Sequence, residues 1–317
     1  MRVSPVDRKL TQRPKAKNGE IARDSFHMRQ PSRDRFTYGR HDPVLMSQAA
    51  KLSGLKAVLH RAGKRLGDRS RGFVLVIQRR IETAIPFWLL LFGIAAAVRV
   101  GSAAGPSRTA NDHVQLFMFY GLIALAPIAG YRIAMAAFPS NLLPEPTGIR
   151  LAFYGRWRRL DPLAARAHPA FGPFGFMASL LLGMLLNVPV RSFEFLLAVP
   201  AVSQHGPAWA TTIFHMMAFD VIAMNFLYAA CFVAALRSIP LFPRMLLLAW
   251  SMDLLLQVAI AYRVSDAPHL PAPIAAALGE LLSGNVTKVL ISMAIWIPYL
   301  LLSERVNVTY RSRVAAD

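Results

Sequence analysis

Six stretches of this chain are continuously apolar for about the length of a membrane-crossing helix. Nothing else in the sequence constrains the fold as much. They run over residues 83–98, 114–137, 174–190, 209–236, 242–262 and 286–302. A membrane helix needs about 20 mainly apolar residues, and only helices or closed barrels satisfy their backbone polar groups in lipid. The apolar residues run on without the alternation of a barrel strand. The pattern therefore predicts an all-α membrane protein, a polytopic bundle of about six transmembrane helices. Composition agrees: 55% of residues are hydrophobic and 17% charged, against about 25% charged in soluble domains. That balance argues against a soluble enzyme and against a disordered chain.

The net charge of +19 has to be kept apart from these stretches. Residues 1–80 hold 20 of the 36 Lys and Arg and carry +14, while the remainder carries +5. No secretory signal is expected, because nothing continuously apolar precedes Phe73. Residues 1–45 are polar, basic and aperiodic and read as a disordered arm. Translation starts either at Met1 or at Met46, where the pattern turns helical. From there to residue 80, Leu52, Leu55, Leu59, Ala62 and Leu66 fall on one helix face, with Lys51, Lys56, Arg61, Lys64 and Arg65 around it. Such a helix either lies on anionic lipid or docks on the protein's own loops. Basic charge alone, with no recognition motif or aromatic platform, does not call for nucleic acid.

The remaining organisation follows from the spans. Residues 81–137 form a two-span hairpin, 138–170 a connecting loop and 171–313 a four-span module. In the loop, Arg150, Arg156, Arg158 and Arg159 alternate with Phe153, Tyr154 and Trp157. Such a mixture suits the headgroup layer, or merely obeys the bias of Lys and Arg toward cytoplasmic loops. With both termini cytoplasmic, 31 basic residues lie inside and five outside, namely Arg99, Arg108, Arg191, Arg263 and Lys288. The expected contacts are the bilayer, anionic lipid at the basic face and a membrane-protein partner, and the expected location is the cell inner membrane, which the resemblance described below implies.

No catalytic motif is present, and the eight histidines lack ligand spacing, so neither an enzyme activity nor a metal or other cofactor is expected. The lone Cys231 reads as a small packing residue. Asn285 and Asn307 head glycosylation sequons, which are short enough to arise by chance. The informative residues are the polar ones inside spans, because such groups are costly in lipid and face the bundle interior or a water-filled cavity. The fourth span holds His215, Asp220 and Asn225. The fifth holds Ser251, Asp253 and Gln257, and the sixth begins at Lys288. At ~1.5 Å per residue, Asp220 and Asp253 lie ~24 Å and ~17 Å above the cytoplasmic boundary, with Lys288 entering from the other side. Asp253 and Gln257 stand one helical turn apart. The cluster is either a polar patch that joins helices or an ion or proton pathway.

Residues 296–310 read WIPYLLLSERVNVTY. This resembles the end of DUF2569, a domain-of-unknown-function family of bacterial inner-membrane proteins. Its last span runs W-I-P-Y, then S-K-R-V, then a Thr and an aromatic. Trp296, Pro298, Tyr299, Ser303, Arg305, Val306, Thr309 and Tyr310 occupy those positions. Glu304 replaces the usual Lys, and Tyr310 the usual Phe. Phe242, Pro243 and Arg244 resemble the triplet that opens the family's third domain helix. The resemblance covers residues 170–313 and implies a four-span module with no assigned activity. Pro298 removes a helix hydrogen bond and is expected to kink the sixth span. The expected function is a non-enzymatic structural or partner-binding membrane component, the alternative being a small ion-coupled permease that uses Asp220 and Asp253.

Overall fold

The computed structural model describes the backbone of residues 43–102, 110–138, 155–201 and 206–316, with side chains from residue 70 onward within those ranges. The basic arm, Arg108, Arg150, Phe153 and Tyr154 lie outside the described residues, as do the side chains of the amphipathic segment before residue 70. The chain divides into two units, Met1–Ser53 and Gly54–Asp317. Of the first, only helical backbone from Pro43 is described.

The elements in chain order are α1 (Pro43–Ser102), α2 (Ala110–Ala137), β1 (Trp157–Arg159), α3 (Pro162–Ala167), α4 (Phe176–Ala198), α5 (Ala208–Leu236), α6 (Phe242–Ser265), α7 (Ala272–Leu302), α8 (Glu304–Arg311) and β2 (Arg313–Ala315). The stretch Ser70–Ser102 of α1, together with α2, α4, α5, α6 and α7, is long and apolar enough to cross a bilayer. The chain is thus an all-α integral membrane protein, with six spans among the described residues.

α5 is the central helix. Of its most apolar stretch 67% is buried, against 11% for α1 and for α7. Its sequence explains this. Ala229, Ala230, Cys231, Ala234 and Ala235 are small and buried, so neighbours approach closely, the usual device where lipid supplies no hydrophobic drive between helices. α2, α4 and α6 all pack on α5, and α7 packs on α6. Gly130 of α2 lies directly on the Phe226 carbonyl of α5 and leaves no room for a Cβ.

Three spans differ from the sequence reading. α1 continues well before residue 83, so the first span is the C-terminal part of a longer helix with Pro86 in its interior. α4 continues through Pro189 to Ala198, which makes Arg191 a mid-helix residue and not a loop flank. α7 starts at Ala272, so Lys288 lies in its middle and not at its mouth. The reason is shared. Apolar length alone does not show how far a helix continues past a proline or a short polar run, where surrounding helices can re-satisfy the backbone groups such residues free. α7 also runs as one helix across Pro298.

The C-terminal chain forms a small folded cap. β2 pairs antiparallel with β1, setting Trp157 opposite Ala315 and Arg159 opposite Arg313. The Arg313 guanidinium stands 5.0 Å from the Trp157 ring centroid. Asp161 caps α3 by accepting from the Leu163 N–H at 3.0 Å. Gly172 and Gly175 take positive φ of 101° and 67°, open to glycine without strain. Their N–H groups donate to Thr309 Oγ1 and Ser70 Oγ at 2.9 and 2.6 Å. The described part of the connecting loop is therefore a strand and a helix tied to the C-terminal tail.

Candidate functional site

Three helices bring charge to one place in the bundle interior. Arg191 of α4 reaches Asp253 of α6 with both prongs of its guanidinium. Nη1 donates to Oδ2 at 2.9 Å, and Nη2 to Oδ1 at 2.6 Å. The same Nη2 stands 3.4 Å from Asp220 Oδ2 on α5. All three are buried, with Arg191 9% exposed, Asp220 5% and Asp253 2%. The Tyr228 hydroxyl donates to Asp253 Oδ2 at 3.0 Å. Gln257 Nε2 donates to Asp220 Oδ2 at 3.2 Å, and Asn285 of α7 donates to Gln257 Oε1 at 3.4 Å. Asn225 donates to Ser192 Oγ at 2.8 Å, and Ser192 in turn to the Val188 carbonyl at 2.8 Å. Four helices thus meet in one polar network.

Helix rise explains the convergence. Counted from the helix ends nearer the C-terminal cap, Arg191, Asp220, Asp253 and Lys288 lie ~22, ~24, ~17 and ~21 Å along their axes. Antiparallel neighbours of similar length therefore hold them at one level. Two carboxylates face one guanidinium, which leaves one negative charge in the cluster when both are ionised. Asp220 Oδ1 and Asn225 Oδ1 are buried and accept from no protein group. A cleft of about 150 Å³ between α4, α5, α6 and α7 reaches the cluster, with Arg191, Tyr228, Asp253 and Asn285 on its wall together with the more exposed Glu194 and Lys288.

The anticipated residues separate into three groups. Asp220, Asn225, Asp253 and Gln257 do come together. Lys288 joins none of them. It pairs with Glu194 at 2.5 Å, both half exposed, because α7 turns that face toward α4. His215 stands apart, facing α2. In the tautomer that satisfies both partners, Nδ1 donates to the Thr211 carbonyl at 2.7 Å and Nε2 accepts from Gln115 at 2.9 Å. Ser251 is exposed on another face of α6. Arg191, Ser192, Tyr228, Glu194 and Asn285 escaped the sequence reading. The available signal was that Arg191 and Ser192 interrupt an apolar run which resumes at Phe193.

The signature residues gather at the end of the bundle that carries the C terminus. Phe242 packs on Tyr310 at 5.0 Å between ring centroids, so the two separated sequence matches touch. Trp296 stacks on Phe176 at 4.7 Å, and Tyr299 meets the same ring edge-on at 5.0 Å. The Tyr310 hydroxyl donates to the Ala235 carbonyl at 2.9 Å, and Arg305 donates to the Ala170 carbonyl at 3.2 Å. Val306 is fully buried, and Pro243 lies in the first turn of α6, where proline is tolerated, with Arg244 beside it. Ser303 precedes α8 and accepts from the Asn307 N–H through its carbonyl at 3.0 Å.

Asn307 holds this cap together. Its side-chain oxygen accepts from Arg311 Nη1 and Arg313 Nε, each at 2.9 Å, and its amide donates to the Leu301 and Ser303 carbonyls. It is fully buried, so its sequon is not presented on the surface of the fold. Burial, with Arg313 and Arg244 beside it, pulls Arg311 down to about 10, which still leaves it a cation at neutral pH. Burial also pushes the Tyr310 phenol well up. These contacts are those of a folded joint between α8, β2 and the ends of α5 and α7. No protein family, curated protein or solved structure matches this chain.

Proposed function

We propose that this is a non-enzymatic component of a bacterial inner membrane, structural or partner-binding in role, with both termini in the cytoplasm. The observation that carries the reading is the two-pronged Arg191–Asp253 pair, buried and backed by Tyr228. A guanidinium held by two parallel hydrogen bonds to one carboxylate is geometrically committed. It clasps α4 to α6 across α5, in a solvent that offers helices no other strong reason to associate. The resemblance of residues 296–310 to an inner-membrane family supports the location. Charge supports the orientation. With Arg191 and Lys288 counted as mid-helix, the basic residues after residue 80 divide eleven to three in favour of the end carrying the C terminus.

A second reading is a small ion-coupled permease. The leftover carboxylate charge and the cleft that leads to it from Glu194 and Lys288 favour it. Reconstitution separates the two. The structural reading expects vesicles containing the purified protein to pass protons and alkali cations no faster than empty ones. It also expects a reproducible partner on affinity purification from native membranes. A flux that Asp220→Asn abolishes, in protein that still elutes as a folded species, selects the permease instead.

A further inference from the structure

Lys288 and Glu194 form an ion pair in a costly place. Lys288 sits at the middle of α7, ~24 Å from one end of the helix and ~21 Å from the other. Its ammonium meets Glu194 Oε1 of α4 at 2.5 Å, and the two side chains keep 58% and 37% of their surface exposed. Ionisable groups inside spans face the bundle interior or a water-filled cavity. The space these two line is the cleft of about 150 Å³ that also has Arg191, Tyr228, Asp253 and Asn285 on its wall. At ~30 Å³ per water, that volume holds about five waters. The cleft is therefore a small hydrated space among α4, α5, α6 and α7.

The cleft wall carries four charges, two of each sign, in two pairs of unequal strength. Arg191 and Asp253 are buried and joined by two parallel hydrogen bonds, and Tyr228 adds a further contact to Asp253. Such a pair is geometrically committed. Lys288 and Glu194 meet through one carboxylate oxygen, and half-exposed pairs of long side chains contribute little net stability. This second pair therefore opens at small cost. A guest placed between its partners exchanges one weak contact for two. A guest with a single charge would take one partner and leave the other unpaired, whereas charges inside spans pair with one another. A guest with both charges leaves neither. Asp220 is not on the wall; its charge is held against Arg191 at 3.4 Å. Asn187 and Asn285 add two amides to the wall, and Trp250 and Trp296 add carbon surface for the apolar part of a guest.

We propose that this cleft binds a small zwitterion, a molecule of the size of glycine or alanine that carries one ammonium and one carboxylate. Glu194 takes the ammonium and Lys288 the carboxylate. The space of about five waters admits a guest of about five or six non-hydrogen atoms. The Arg191–Asp253 pair stays closed and forms the fixed back of the site. Binding here requires no flux, so it goes beyond the choice between the structural and the permease readings. A protein that merely holds such a guest and one that moves it would share the same site.

The test is thermal unfolding of the purified full chain in detergent, titrated separately with glycine, L-alanine, ethylamine and propionate. Ethylamine and propionate each keep one of the two charges of L-alanine on a similar carbon frame. Glycine or L-alanine should raise the unfolding temperature saturably at millimolar concentration, and the two singly charged compounds should be at least ten-fold weaker. Lys288→Gln and Glu194→Gln each remove a half-exposed charge, so both should fold and lose at least ten-fold in affinity for the zwitterion. Gly183 lines the cleft and has open space where a Cβ would stand. Gly183→Leu should therefore fold and abolish binding by filling the cleft. Ser283→Ala, on the same helix as Lys288 but outside the cleft, should change nothing. Each variant is read as the shift on adding ligand to its own unliganded melt, which separates binding from stability. The wild-type ligand series decides the matter where a variant fails to fold. No stabilisation by glycine or L-alanine overturns the proposal. Propionate or ethylamine binding as tightly as L-alanine also overturns it, in favour of an anion or a cation site. So does binding untouched by both charge variants and by Gly183→Leu. The readout needs no sealed membrane, so its failure is distinct from an absence of flux in vesicles.

Discussion

Asp220→Asn and Asp253→Asn remove the same charge from two carboxylates that share one guanidinium, yet the geometry predicts opposite outcomes. At Asp253 the substitution keeps one acceptor oxygen and turns the other into an NH2 that points at an N–H of Arg191. Tyr228 also loses its charged acceptor. Breaking a buried ion pair from one side costs about 3–5 kcal/mol. Asp220, 3.4 Å away, takes over part of the pairing, so the lower end, about 3 kcal/mol, is the expected loss. At Asp220 the substitution leaves the Arg191–Asp253 pair intact and one-to-one. It removes the excess charge, and a buried oxygen without a partner becomes an amide. Gln257 keeps its acceptor. The expected change is within about 1 kcal/mol of zero, on the stabilising side where it is resolved.

On the scale of soluble domains of 150–250 residues, 1 kcal/mol moves Tm by about 2–4 °C. Asp253→Asn is therefore expected to melt about 6–12 °C below the wild type. Asp220→Asn should melt at or slightly above it. Fluorescence-detected thermal unfolding in one detergent, with both variants prepared side by side, reads the difference. Equal losses would refute the reasoning, and so would a larger loss for Asp220→Asn, because either shows that Arg191 does not distinguish the two carboxylates. A companion variant guards against misreading a general intolerance of the site. Replacing Arg191, Asp220 and Asp253 together by Met, Asn and Leu should be more stable than Arg191→Met alone, which strands two carboxylates.

Gly130→Ala places a Cβ on the Phe226 carbonyl, which is backbone and cannot rotate away. It should cost about 1–3 kcal/mol by forcing α2 from α5, read as a lower unfolding temperature in the same assay. Asn307→Ala leaves Arg311 and Arg313 without their shared acceptor. A hydrogen bond to a charged group is worth about 1.5–3 kcal/mol, so the cap should loosen, and trypsin should cut after Arg311 or Arg313 at least ten-fold faster than in the wild type.

The spans were legible because hydrophobic length is read directly by the bilayer. Their ends were less so. Pro189 and Arg191 together look like the close of a helix, and Pro271 with Asn285 and Lys288 looks like a late start. In water those signals are dependable, since a freed carbonyl is simply hydrated. Inside a bundle a helix does better to continue, because an interruption in lipid strands its backbone. The same error hid the charge cluster. Asp220, Asp253 and Gln257 were visible as costly residues, but their partner was counted as a surface arginine, so a carboxylate pair was matched with Lys288. Lys288 was free to take a closer partner, Glu194. The C-terminal cap was illegible for another reason. β1 and β2 are three residues each and lie far apart in sequence, and local pattern carries no information about such pairing.

The six helices are not held with equal strength. α4, α5 and α6 share the charge cluster, and α2 lies on α5 through Gly130. α7 follows α6 and is anchored at its end by the cap. The described part of α1 has neither device. Its polar contacts with the bundle come at separated points: Ser70 with the Gly175 N–H, Arg71 over the Phe174 ring, Glu82 with Arg132, Trp88 with the Ala124 carbonyl, and Arg99 with the Val199 carbonyl. Apolar contact between these points gives little preference for protein over lipid, because acyl chains are as apolar as leucine. Loosening of the bundle is therefore expected to begin at α1 before it disturbs the α4–α5–α6 core.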